Sequence, residues 1–161
     1  MPKFLVVYYS RTGHTAQVAR ALADRLGADL EPIREARSRK GIWQYFRSAR
    51  EALAGKRAEI EPARHNPAAY DIVLLGSPVW ASHPSTPVSA YLAANREKLK
   101  AVACFVTLGG SGAEKTMARM EEAAGKQALA KFSATERELK SGKWKRGLQR
   151  FIDAIEEAAT A

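Results

Sequence analysis

The run Phe4-Leu5-Val6-Val7-Tyr8-Tyr9 is apolar throughout and passes without a linker into Ser10-Arg11-Thr12-Gly13-His14-Thr15. Ala16, Val18, Ala19, Leu22, Ala23 and Leu26 then recur at helical spacing, and Gly27 closes the stretch. A strand that empties straight into a helix has no hairpin partner. It belongs to a crossover unit, and therefore to a parallel sheet.

The rest of the chain repeats this alternation. Leu30 and Ile33 mark a short second strand interrupted by Pro32, and Ile42, Phe46, Ala49 and Leu53 share one helical face that Gly55 ends. Residues 56–69 are polar, contain Pro62 and Pro67, and read as a connection. Ile72 to Gly76 is a third strand and Val102 to Val106 a fourth, with a helix from Pro87 between them. A helix carrying Met117 and Met120, a weak fifth strand from Leu129 to Phe132, and a last helix from Trp144 to Ala159 follow. No repeat or linker interrupts the 161 residues, so residues 1–161 are expected to form one domain.

Residue types order these strands. Strands buried on both faces read as unbroken apolar runs, which the first, third and fourth do. The second holds Asp29, Glu31 and Pro32, and the fifth holds Lys131, so both belong at edges. The expected fold is a doubly wound α/β domain with a five-stranded parallel sheet, order 2-1-3-4-5, and helices on both faces. Such sheets bind ligands beyond the carboxyl ends of the strands at the switch point, here between strands 1 and 3.

Three loops meet that description. Ser10, Arg11, Thr12, Gly13, His14 and Thr15 combine three hydroxyls, a glycine and a helix N-terminus, a setting suited to a phosphate. Helix capping by Ser10 or Thr12 is the competing reading. The second loop, Ser77, Pro78, Val79, Trp80 and Ala81, offers an indole that can cover a planar ring or pack at a loop base. The third, Thr107 to Gly112, offers backbone amides through Gly109, Gly110, Ser111 and Gly112. The first turn lacks the G-x-G-x-x-G of dinucleotide folds and the lysine-containing loop of nucleotide triphosphatases. A receiver-type acidic cluster is also missing, since Ser10 and Ser77 stand at those strand ends.

The turn Ser10-Arg11-Thr12-Gly13-His14-Thr15 resembles the phosphate loop of flavodoxins, and Gly76 to Trp80 and Thr107 to Gly112 resemble their second and third flavin loops. The resemblance implies a short-chain, flavodoxin-like fold that binds FMN, with the phosphate on Ser10–Thr15 and the ring between the other two loops. It implies electron transfer, with a redox partner protein or a small-molecule electron acceptor. An FMN-dependent NAD(P)H:quinone reductase and a menaquinone-linked protoporphyrinogen oxidase-like enzyme share the fold and stay open. The chain departs from the family pattern in having no aromatic residue between Leu108 and Gly112, and in being basic.

The charge is +9, with eight basic against two acidic residues from Arg34 to Arg57 and seven against two from Lys131 to Arg150. This field favours acidic partners. A non-redox basic module for nucleic acid or an acidic protein is the reading from another class, although no nucleic-acid motif is present. Trp43 and Tyr45 among arginines suggest a basic-aromatic surface. One cysteine, Cys104, leaves no internal disulfide and reads as core, which together with the absence of an apolar run of membrane-spanning length fits a cytoplasmic protein. No metal site is expected. His83 lies close to the second loop, and His65, in the polar connection, has no assigned role.

Overall fold

The computed structural model describes residues 1–36 and 59–161. The helix expected around Ile42 to Leu53, and the Trp43–Tyr45 surface, lie outside the described residues.

Five parallel strands form the sheet: β1 (Phe4–Tyr8), β2 (Asp29–Pro32), β3 (Ile72–Trp80), β5 (Val102–Leu108) and β6 (Ala128–Thr135), in the order β2-β1-β3-β5-β6. A two-residue strand β4 (His83–Pro84) pairs antiparallel with the end of β3. With β4 set aside, this is the expected 2-1-3-4-5 order. Among the described residues the α-helices are α1 (His14–Leu26), α2 (Thr86–Asn95), α3 (Ala113–Ala124), α4 (Glu136–Ser141) and α5 (Trp144–Thr160).

The unbroken apolar runs have a direct cause. Phe4, Val6 and Tyr8 of β1 enter one core with α1 and α5, while Leu5 and Val7 enter the other with α2 and α3. In the same way Ala103 and Phe105 of β5 face the first core, and Val102, Cys104 and Val106 face the second. With a helical layer on each face, neither pleat side can be polar. Gly76 is fixed by this packing, because a Cβ there would lie 2.1 Å from Cζ of Phe105.

Several features differ from expectation, among them the short helix α4 and the strand β4, neither of which was expected. β3 does not end at Gly76. Ser77 and Pro78 continue it against Val106 and Thr107, and the strand runs on to Trp80, which pairs with His83. The joining residues Ala81 and Ser82 take φ of 50° and 62°. Two-residue hairpin turns of this hand favour glycine and asparagine, so Ala-Ser gives no turn signal. β6 is longer than Leu129–Phe132, because Phe132 and Ala134 reach the core while Leu129, Lys131 and Ser133 alternate outward at the sheet edge. Glu31, a polar residue expected on an exposed edge, is 3% exposed. Its carboxylate accepts hydrogen bonds from the backbone amides of Arg64 and His65 and contacts His65 Nδ1 at 2.6 Å. His65 thereby ties the polar connection to β2, a structural role its sequence context did not signal.

Candidate functional site

The loops that follow β1, β3 and β5 come together at the carboxyl ends of these strands. Two helices start there, α1 from Gly13 (φ 98°) and α3 from Gly112 (φ 99°), and neither has a side-chain cap at its N-cap residue. Both glycines are in the left-handed region, which other residues reach only at a cost of about 1–2 kcal/mol. Two positive helix ends therefore border one site.

In the first turn, Ser10 Oγ accepts hydrogen bonds from the amides of Gly13 and Ala16, each at 3.1 Å. The capping reading is therefore correct in part: Ser10 caps α1 from outside the helix. As an acceptor in both bonds, Ser10 keeps its hydroxyl proton free to donate. Thr12 Oγ1 lies 3.0 Å from His14 Nδ1, and that nitrogen lies 3.7 Å from Glu136 at the start of α4. Thr15 turns inward. It is 2% exposed, and its hydroxyl meets that of Thr107 at 2.7 Å, which couples the first loop to the third.

Arg11 reaches the second loop. Its guanidinium stands 4.6 Å from the Trp80 ring centroid, and the Tyr9 ring meets Trp80 edge-on at 5.9 Å and 88°. Trp80 is half-buried and belongs to neither core cluster, although the Tyr9 ring it meets packs against the second. Burial pushes the Tyr9 hydroxyl pKa up, the Glu35 carboxylate pushes it further, and Arg11 opposes both. Tyr9 and Glu35 carry no loop motif. Only the tertiary structure, which sets the segment after β2 beside the end of β1, brings them here.

Ser77 is fully buried. Its Oγ accepts from the Ser85 amide at 2.8 Å and donates to the Pro78 carbonyl, so it anchors the second loop to α2. The left-handed Ala81–Ser82 turn is held by α3. Arg119 donates to the Ser82 carbonyl and reaches His83 Nδ1 at 3.5 Å, while His83 Nδ1 lies 2.8 Å from the Ala81 carbonyl. His83 thus braces the turn from below. A Cβ on Gly112 would lie 2.7 Å from Ser82 Oγ, so the third loop also packs against this turn. Arg119 was not apparent in the sequence, where the Met117 and Met120 spacing reveals only the buried face of α3.

Gly109 and Gly110 differ from Gly112. Neither has a positive φ, and a Cβ on either would meet nothing within 4 Å. Neither conformation nor packing requires glycine at these positions.

Cys104 is fully buried, and burial raises its thiol to about 12. It forms no thiolate at neutral pH and offers no nucleophile. Among the described residues no group of His, Cys, Asp or Glu is arranged to hold a metal ion. Among the same residues no helix is long and apolar enough to cross a membrane.

A doubly wound sheet with hydroxyl-rich and glycine-rich loops at its switch point defines a flavodoxin-like protein. The family model described as Flavodoxin matches residues 3–146, and the chain belongs to that family. It is similar to a flavoprotein from Lactobacillus acidophilus crystallised with FMN, at 24% identity and TM-score 0.72, covering 90% of this chain and 99% of that one. A candidate flavoprotein from Bacteroides eggerthii is 25% identical with TM-score 0.77, covering 97% and 99%. Two-electron reduced flavodoxin from Megasphaera elsdenii is 22% identical with TM-score 0.57, covering 98% and 99%. No curated protein sequence matches the chain.

Proposed function

We propose that this chain binds FMN and transfers electrons with it, as one cytoplasmic domain spanning residues 1–161. The observation that carries the reading is the convergence of three loops at one sheet end, with open space above Gly109 and Gly110. When bound, FMN supplies one- and two-electron redox chemistry, and the protein supplies binding, orientation and shielding.

Ser10, Arg11, Thr12, Gly13, His14 and Thr15 would hold the phosphate. Ser10 and Thr12 offer hydroxyl donors, the α1 N-terminus adds backbone amides, and Thr15 keeps the turn in place through Thr107. Ser77, Pro78, Val79, Trp80 and Ala81 would border the ring on one side, and Thr107, Gly109, Gly110, Ser111 and Gly112 on the other. No side chain is assigned covalent chemistry. The basic charge favours an acidic redox partner, and no nucleic-acid motif accompanies it.

The glycine-rich third loop, which carries no aromatic residue, also leaves room for a second substrate, which favours an FMN-dependent reductase as the alternative. An absorbance spectrum after incubation with FMN tests the first reading: a bound-flavin spectrum that survives gel filtration is expected, and a colourless protein overturns it. Rapid NAD(P)H oxidation by the loaded protein would favour the reductase.

A further inference from the structure

The edge strand β6 and helix α5 enclose a groove of about 560 Å³. Five successive β6 residues line it, Leu129 to Ser133. Successive strand residues point to opposite faces, so a groove touching all five runs along the strand's edge and not on one face. Among the described residues β6 pairs only with β5. Its outer edge therefore presents the row of backbone donors and acceptors that invites another strand.

The charge around this edge is one-sided. Arg146 and Arg150 of α5 and Lys143 just before it line the groove, all exposed, while Lys131 on β6 is already held by Glu121 at 2.7 Å. The acidic lining residue is Glu138, whose carboxylate already accepts from the Thr135 amide in a capping box. Phe132 and Phe151 lie beneath the groove, both nearly buried, and Leu129 is 46% exposed at the rim. Gly147 lets α5 settle on Phe132, since a Cβ there would lie 3.3 Å from its ring.

We propose that this edge is a docking site for an extended acidic peptide segment of a protein partner, which adds as a further strand beside β6. The open backbone edge supplies main-chain hydrogen bonds, and Leu129 at the rim offers an apolar contact to alternate side chains. Lys143, Arg146 and Arg150 take the carboxylates. The row of peptide groups fits a polypeptide; a nucleic-acid strand could use only the cations. The site is separate from the three loops, and the inference holds whether or not FMN is bound.

The test uses the full chain, labelled with ¹⁵N, and a short fluorescein-labelled peptide in which glutamate alternates with valine. Anisotropy should report binding, and the amides of residues 129–133 should shift and gain hydrogen-exchange protection. The double variant Arg146→Glu, Arg150→Glu should weaken binding by at least about tenfold while the amide spectrum elsewhere is retained. The same peptide with proline at every valine, which cannot pair as a strand, should not bind. No binding of the glutamate–valine peptide, equal binding of the proline peptide, or unchanged binding by the charge-reversed variant would each overturn the proposal. So would protection of residues 129–133 by self-association in sedimentation, or by an oligothymidine strand in place of the peptide.

Discussion

The guanidinium of Arg11 stands over the ring of Trp80, 4.6 Å from its centroid, and joins the turn after β1 to the far end of β3. Replacing Trp80 by alanine removes this contact and the indole's wall on the site. FMN affinity should fall about tenfold, on the order of 1–2 kcal/mol, while the preference for FMN over riboflavin stays. Fluorescence titration of both flavins measures it. A variant that binds FMN like the parent would place the ring elsewhere.

Ser10 Oγ holds the Gly13 and Ala16 amides. Ser10→Ala should cost about 1 kcal/mol of stability as a lost helix cap. It should also weaken FMN binding more than riboflavin binding, because the hydroxyl faces the proposed phosphate. Urea denaturation and paired titrations separate the two effects. Equal losses for both flavins would remove Ser10 from the phosphate site.

Thr15 and Thr107 share a buried hydrogen bond. Thr15→Val leaves the Thr107 hydroxyl without that partner and should destabilise the fold by about 1–3 kcal/mol. Thr107→Val should behave alike, and the double variant should lose less than the sum of the two. A double-mutant cycle in urea reads the coupling, and strict additivity would show that the pair is not coupled.

The Ala81–Ser82 turn stores strain, with φ of 50° and 62°. Ala81→Gly should relieve about 1–2 kcal/mol of it, partly offset by the greater entropy of an unfolded glycine, for a net gain near 0.5–1 kcal/mol. Arg119→Ala should loosen the same turn. Thermal unfolding of the two variants should shift the midpoint in opposite directions.

Burial raises Cys104 to about 12 from 9.0, and burial together with Asp29 raises Tyr70 to about 12 from 10.0. Both pKa values are higher in the folded state than in the unfolded one, so the stability these groups contribute is complete below about pH 9. It is lost as pH rises from about 9 toward 12. Unfolding free energy across this range should fall, and Cys104→Ala should flatten the lower part of the fall. Thiol reagents at pH 8 should reach Cys104 only after unfolding.

The sequence was enough for most of the alternation of strand and helix among the described residues and for the sheet order, and it marked the loops that follow β1, β3 and β5. Each of these depends on local patterns: unbroken apolar runs in β1, β3 and β5, and Asp29, Pro32 and Lys131 marking the edges. Ser10 to Thr15 could be read because a strand-to-helix turn is contiguous in the chain. The continuation of β3 through Trp80 could not, because it rests on an Ala-Ser turn that Arg119 and Gly112 hold from α3. Nor could the pairs Thr15–Thr107 and Arg11–Trp80, the burial of Glu31 against His65, or the groove beside β6. These depend on side chains that the fold brings together, and such a contact leaves no periodic trace in either segment.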